Sequence, residues 1–560
     1  MKVCNKRIQQ TQFILAVVLV VVALLPTPSY AQRPSQGERD RRVRDFPAER
    51  DQFRPRNGMS RFRSPVELAR FRTIDGTANN PVGIFWGAAG GNLRRRVPND
   101  YRDGLSVPSG LDRKPARSIS NYLCNQNDDV ILNRRNMSSM VWQWGQFLDH
   151  DISLTETAEP HESLSIIVPT GDRYFDPFAA GGQTIAFFRS DYRRVSGGVR
   201  EQINMITSWI DGSNVYGSDD ETAQLLREFN GGRMLTSDGD LLPIDDAGFF
   251  MAGDVRANEQ VALTAMHTIF VREHNRVADQ FASRYPFLTD EQIYVRARKH
   301  VGALMQVITY QEFLPAVMGP NAIRSYRGYD PTVFPNISNV FSTAAYRFGH
   351  TMLPTELLRV DNSGATIAAG NLSLSDAFFN PANLSDVGVD PYLKGLAVQH
   401  AQEIDCRIVG DLRNFLFGPP GAGGFDLAAL NVQRGRDHGL ADFNSIRAFY
   451  RLPKYQSFDE VSSDPGIVAG LESAYDSVDN IDAWIGILAE DHVEGASIGP
   501  TLHRIMKQQF EMLRDGDRFW YERDFSRREI EELQSTTLAD VIERNSEVRN
   551  LQRNVFFTNR

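Results

Sequence analysis

Four stretches of the chain repeat their apolar positions at helical spacing: Ser138–His150, Asn258–Ser283, Asp290–Leu314 and Leu502–Leu513. The connections between them are rich in Gly, Pro and Asn, and runs with the two-residue alternation of a half-buried strand are few and short. There is no internal repeat, no low-complexity block and no second change of composition within this part. The pattern therefore predicts one large, mainly α-helical domain with long irregular connections. The N-terminus departs from it in two steps. Lys2, Lys6 and Arg7 precede an apolar run from Phe13 to Leu25, then Pro26, Pro28 and the small-residue ending Ser29-Tyr30-Ala31. This reads as a cleavable signal peptide over residues 1–31. Thirteen apolar residues are short of the ~20 that cross a bilayer, so no membrane span is expected after cleavage and the mature chain is expected to be secreted or periplasmic. Residues 32–72 mix Arg, Asp, Glu, Pro and Gly without an apolar period, as in RDRRVRDFPAERDQFRPRNG, and read as a flexible arginine-rich arm. The folded domain is expected over 73–560.

Composition narrows this picture only slightly. An apolar fraction of 41% and a net charge of −9 describe an ordinary globular protein, and the acidic balance argues against nucleic acid as a partner. The length exceeds the roughly 250–300 residues at which single cores stop growing, an excess that a cofactor at the centre of a helical domain can accommodate. Cys4 lies in the leader, so the mature chain keeps Cys124 and Cys406. One intrachain disulfide at most can form, and no cysteine-based metal site is expected.

The candidate chemistry begins in MVWQWGQFLDHDISLTE, which places Gln146 and His150 at i and i+4 on one helical face, with Asp149 beside them. A lone histidine in an apolar helix usually belongs to a hydrogen-bonded core. Here a second polar side chain shares its face in a Trp-rich segment, and buried polar groups need a reason. In FMAGDVRANEQVALTAMHTIFVREHNRVA, Arg256 and Glu259 stand at i and i+3 near the start of an expected amphipathic helix. By itself that pair reads equally well as an exposed ion pair. His267 and His274 lie further along the same helix without an H-E-x-x-H pattern and are read as structural. TSWIDGSNVYGS presents Thr207, Trp209, Asp211 and Ser213 at alternate positions, so an extended loop would turn hydroxyl, carbonyl and carboxylate oxygens toward one point. An all-oxygen set suits a hard cation.

WGQFLDHD resembles the distal-histidine motif of the animal haem peroxidases, the group that contains myeloperoxidase, lactoperoxidase and the peroxinectins. Further segments follow in the family's order: the Arg256 block, NVFSTAAYRFGHTMLP, ALNVQRGRDHG and LRDGDRFWYE, so the likeness runs from about Arg70 to the C-terminus. The resemblance implies a mainly α-helical fold with haem b buried in a central helical core. It implies that His150 is the distal base, Gln146 a polar neighbour of the iron's water or halide, and Arg256 the residue that polarises peroxide. Asp149 and Glu259 would be the two carboxylates that esterify the haem. His350 would be the axial iron ligand, Asn431 its hydrogen-bonding partner, and Arg347 and Arg434 the residues that meet the haem propionates; His438 is read as structural. Asp151, Thr207, Trp209, Asp211 and Ser213 would hold Ca²⁺, with Asp151 tying the distal helix to the loop.

The implied activity is that of a haem peroxidase which reduces hydrogen peroxide and oxidises small anionic donors (halides, thiocyanate) or phenols through an oxoferryl haem. The myeloperoxidase branch carries a sulfur-linking methionine where this chain has Gln260. Two ester links without a sulfonium link are therefore expected, and iodide and bromide should be better donors than chloride. Two other readings remain open: a fatty-acid dioxygenase of the same superfamily, and a secreted adhesion or matrix protein on the peroxidase fold. The dioxygenases carry a tyrosine three residues before the proximal histidine, where this chain has Arg347, with Tyr346 one position further away.

Overall fold

A computed structural model describes residues 70–126, 129–420 and 423–559. The expected signal peptide and nearly all of the expected arm lie outside the described residues. Arg72, at the arm's expected end, is already part of the fold: it ion-pairs with Asp517 and donates to the Phe519 carbonyl at 3.1 Å.

The domain is helical, as the apolar spacing predicts. Six helices frame the argument: α1 (Ala116–Leu123), α2 (Met140–Ile152), α3 (Val261–Arg284), α4 (Asp290–Ile308), α5 (Leu427–Asp437) and α6 (Pro500–Asp515). Strands are short. β1 (Gly91–Asn92), β2 (Tyr192–Arg194) and β3 (Arg200–Asn204) form an antiparallel sheet in the order β1-β3-β2, with Gly91 opposite Asn204 and Tyr192 opposite Gln202. Two-residue ribbons pair Ile166–Ile167 with Thr184–Ile185 and Glu356–Leu357 with Leu372–Ser373.

α2 runs through the centre, and residues on all its sides are buried, as expected of a helix that is apolar nearly all round. Trp144 is fully enclosed, with Phe147 and Phe270 at 5.7 Å and Phe556 at 6.3 Å. Truncating such a ring costs about 3–5 kcal/mol. α3 packs on α2 and on α4, and α1 and α5 pack on each other. α4 starts at a capping box formed by Thr289 and Gln292.

Two boundaries depart from the expected ones. The stretch expected to be helical to Leu314 is α-helical only to Ile308, continues as a π turn over Thr309–Phe313, and resumes as Leu314–Met318. Pro315 explains the change of winding, because it has no N–H to donate to the preceding turn. The helix expected from Asn258 begins instead at Val261. The Gln260 side chain caps it, accepting the Ala262 N–H at 2.8 Å. Arg256 and Glu259 thus lie in the turn before α3 and not on its face, held close by the Glu259 N–H donating to the Arg256 carbonyl at 2.9 Å.

Among the described residues no helix is long and apolar enough to cross a membrane. Cys124 and Cys406 are both buried, free thiols.

Candidate active site

Helical spacing along α2 places Gln146, Asp149 and His150 on one face, and the turn before α3 brings Arg256 and Glu259 against them. Gln146 Nε2 donates to Glu259 at 2.9 Å, and the Arg256 guanidinium lies 3.5 Å from Asp149. His150 Nε2 is 3.8 Å from the Glu259 carboxyl, so this nitrogen is on the Glu259 side. Gln260 is buried and ties the two elements together by donating to Gln143 at 2.6 Å and Gln146 at 3.2 Å.

One residue at the centre of this network, Asp254, was not singled out by the sequence reading. Its two carboxylate oxygens accept from Arg256 Nε and Nη2, each at 2.8 Å, the fork geometry of a bidentate pair. The same carboxylate is 3.5 Å from His150 Nδ1, an atom that is buried and has no hydrogen-bond partner. Asp254 also fixes the turn, accepting the Arg256 N–H at 2.9 Å and donating its own N–H to the Asn214 carbonyl at 3.1 Å. The adjoining Gly253 allows this contact: a Cβ there would lie 2.4 Å from the Ser213 carbonyl oxygen.

The electrostatics follow from enclosure. Burial, reinforced by Arg256, holds the His150 imidazole far below its usual pKa, so it is neutral. Burial pushes the Glu259 carboxyl up to about 7 and Asp149 up to about 6, the latter against the pull of Arg256. Asp254 behaves in the opposite way. Burial would raise it too, but Arg256 and His150 bring it down to about 2.

On the other side, His350 sits in a 3₁₀ turn, Ala345–Thr351, that packs against α2. Its Nδ1 is 2.9 Å from the Asn431 amide nitrogen on α5, and the Asn431 amide oxygen accepts from Arg347 at 3.1 Å. Three residues per turn place Arg347 and His350 on one side of the 3₁₀ segment. Burial, with Arg347 adding to it, lowers His350 to about 3 and leaves it neutral. Burial also depresses Arg347 to about 10, and among the described residues no carboxylate is within ion-pair distance of it. Arg434 has such a partner. It meets Asp437 at 3.0 Å and Ser190 at 2.8 Å and lies over the Phe187 ring at 4.2 Å.

Asp149 and Glu259 lie deep in the domain, yet about a third of each side chain stays accessible. They face an internal cleft. Its donor set suits haem: neutral histidines on facing elements, an arginine without a carboxylate, and carboxyls at the edge.

The TSWIDGSNVYGS segment is not an extended loop. Gly212 turns it with a φ of +79°, and Ser213–Tyr216 form a short helix. The turn still gathers oxygens. Asp151 accepts the Asp211 N–H at 3.1 Å, Ser213 donates to the Asp151 carbonyl at 2.7 Å, and Thr207 donates to Asp211 at 3.1 Å. Trp209 is buried, with its indole N–H on the Gly76 carbonyl at 3.2 Å. One oxygen of Asp151 is buried without a partner, one of Asp211 lacks a hydrogen bond and has only the Arg298 guanidinium at 3.7 Å, and burial raises the pKa of both carboxyls. Two enclosed carboxylate oxygens without hydrogen bonds are what a hard cation would satisfy. The set has only two acidic residues; among the described residues no three His, Cys, Asp or Glu side chains gather as metal ligands.

His274 and His438 are hydrogen-bonded core residues. His274 meets Tyr216 at 2.9 Å and the Gly232 carbonyl at 2.8 Å, and His438 meets Ser190 at 2.7 Å and Asn339 at 2.8 Å. His267 differs, since both its ring nitrogens are buried without a partner and its ring is 6.5 Å from that of His150.

The family model described as animal haem peroxidase matches residues 71–556. The chain belongs to this family. Peroxinectin A of Dictyostelium discoideum is 38% identical over 517 residues, covering 87% of this chain and 95% of that one. A peroxidasin homolog of Mus musculus is 34% identical over 558 residues, of which this chain spans only 37% of the full length. The solved structure of peroxidase A from Dictyostelium discoideum superposes with a TM-score of 0.82 at 36% identity, covering 87% of this chain and 99% of that one. A fatty acid alpha-dioxygenase of Arabidopsis thaliana has the same fold, with a TM-score of 0.75 at 20% identity over 88% of this chain and 84% of that one. The family binds haem, and the chain is a haem peroxidase with the family's mainly helical fold.

Proposed function

We propose that this peroxidase holds haem b in the cleft between α2 and the His350 turn, and uses hydrogen peroxide to oxidise halides, thiocyanate or small phenols. The observation that carries the reading is the coupling of a neutral His150 to a fixed Arg256 guanidinium through one buried carboxylate, Asp254. Cleavage of a peroxide bond needs a base that takes the proton from one oxygen and returns it to the other, and a cation that stabilises charge on the departing oxygen. His150 performs the first task through Nε2, with Asp254 facing Nδ1 to favour the tautomer that leaves Nε2 free. Arg256, locked in a fork, performs the second without reorganising. The haem supplies the redox chemistry that connects peroxide to the donors.

His350 would hold the haem iron. Ligation through Nε2 requires Nδ1 to carry the proton and Asn431 to present its oxygen, which a half-turn of the amide achieves. That half-turn removes the acceptor of Arg347 Nη1 and frees that end of the guanidinium for a propionate, while Nε stays on the Ser342 carbonyl at 3.1 Å. Arg434 is the second propionate partner in this reading, sharing its charge with Asp437. Asp149 and Glu259 border the cleft with the capacity to form ester links, and Gln146 orients water or halide. Gln260 is engaged as a helix cap, so no sulfur link is expected and bromide and iodide should outrank chloride. Asp151, Thr207, Trp209, Asp211 and Ser213 hold Ca²⁺, coupling the calcium turn to His150 through the next residue. Residues 1–31 act as an export signal and the expected arm, 32–72, leads into the catalytic domain, which takes in the arm's last residues because Arg72 already pairs with Asp517.

The dioxygenase reading has less support. Arg347 occupies the position of the required tyrosine, and Tyr346 is stacked at 4.8 Å on Phe341 within the core. Peroxide-dependent turnover of guaiacol, iodide, bromide, thiocyanate and chloride in the haem-loaded protein tests the proposal. Oxidation of phenol, iodide and bromide with little chloride turnover is expected; oxygen uptake with a polyunsaturated fatty acid and no peroxide turnover would overturn it.

A further inference from the structure

The oxidisable side chains of the core form a path. Tyr346, next to Arg347 and four residues before His350, stacks on Phe341 and shares the Phe510 ring with Tyr310, at 5.9 and 6.0 Å. Tyr310 meets Trp520 edge-on at 4.8 Å, and Trp520 is 6.0 Å from Tyr326. Tyr326 and Tyr329 are half-buried in an irregular strap, with exposed Arg324, Ser325, Arg327 and Gly328 around them. Aromatic contacts therefore run from beside the proximal turn to the surface.

Two further observations separate this path from ordinary packing. The hydroxyls of Tyr346, Tyr326 and Tyr329 are buried with no hydrogen-bond partner, so no polar contact accounts for their being Tyr and not Phe. At the outer end, the Trp520 indole N–H donates at 3.1 Å to the carboxylate of Glu522, which is exposed.

We propose that the half-buried Tyr326 strap is a second oxidation site for phenolic groups on molecules too large to enter the cleft, with Trp520, enclosed beneath it, as the radical-bearing relay connected to the haem through Tyr310, Phe510 and Tyr346. This rests on the reading that haem lies against His350. In each cycle Trp520 gives one electron inward and its indole proton to Glu522, leaving a neutral indolyl radical. The radical then takes one electron from the phenol while a proton returns to the indole, so that a phenoxyl radical leaves and Trp520 is restored. Two cycles, with the two phenolic protons, reduce one hydrogen peroxide to two waters. Phe510 carries no charge of its own and serves as the packed bridge between the two tyrosines.

The test uses the haem-loaded, full-length enzyme with its Trp520→Phe and Tyr346→Phe variants; the second removes only an unpartnered hydroxyl and leaves folding intact. Freeze-quenched electron paramagnetic resonance after one equivalent of peroxide reports the radical, and oxidation of guaiacol is compared with that of phenol-grafted dextran. An indolyl signal is expected in the unsubstituted enzyme and is lost in Trp520→Phe. Both variants should lose most of the dextran oxidation and keep guaiacol oxidation. An unchanged radical signal in Trp520→Phe, or full dextran oxidation in both variants, overturns the proposal. No guaiacol oxidation by the unsubstituted enzyme would instead remove the underlying haem reading, and this proposal with it.

Discussion

The two sides of the cleft are built differently. On the His150 side every charge has a protein partner: Arg256 is forked on Asp254, Gln146 bonds Glu259, and Gln260 ties both elements together. On the His350 side the protein offers a histidine, one amide and Arg347, which has no carboxylate, beside an Arg434 already paired with Asp437. The difference teaches that the His150 side is organised by the polypeptide alone, whereas the His350 side, under the proposed assignment, would be completed by the haem. An enzyme gains from fixing in advance the groups that must not reorganise during reaction.

The largest expected effect separates the chemistry of the two sides. His150→Ala should slow the reaction with peroxide by ~10²–10⁴-fold, the usual contribution of a positioned proton carrier, and still retain haem. Stopped-flow absorbance after peroxide addition measures it, and near-normal rates would remove His150 from its role. Next is stability without haem. Asp254→Ala leaves the enclosed Arg256 guanidinium with only Asp149 at 3.5 Å and the Ser153 carbonyl at 3.0 Å, a loss of about 3–5 kcal/mol in urea unfolding of the apoprotein. Asn431→Ala removes a single amide contact set and should cost only ~1 kcal/mol there, while weakening haem affinity by ~10–100-fold. Equal losses in the two apoproteins would erase the contrast between the sides.

The smallest effect concerns pH. Glu259 titrates at about 7 in the fold against an ordinary 4.5, because burial disfavours its charge. Folding therefore raises its proton affinity: its contribution to stability is fully present below about pH 4.5 and is lost as pH rises through about 7. Apoprotein with Glu259→Gln should lose less melting temperature between pH 5 and 8 than the unsubstituted chain, and parallel curves would contradict the assignment.

The parts of the molecule with a period were legible in the sequence. α2, α3, α4 and α6 follow from apolar spacing, and the Gln146, Asp149, His150 face follows from i, i+3 and i+4 geometry. What was not legible has no period. Asp254 lies in a turn two residues before Arg256, and its fork is set by the fold; a buried Asp-x-Arg between glycine and a helix start was the available signal. The start of α3 was misplaced because Gln260 caps it, and glutamine is not among the usual capping residues. Residues 207–213 have alternate-position oxygens that suggest an extended loop, although Gly212 marks a left-handed bend.

The most direct test of the account is a haem titration of the apoprotein, followed in the Soret region, for the unsubstituted chain and for His350→Ala and His150→Ala. The account predicts tight, histidine-ligated binding in the unsubstituted chain and in His150→Ala, and loss of that spectrum in His350→Ala. Loss of the ligated spectrum in His150→Ala with retention in His350→Ala would reverse the two sides, and contradict it.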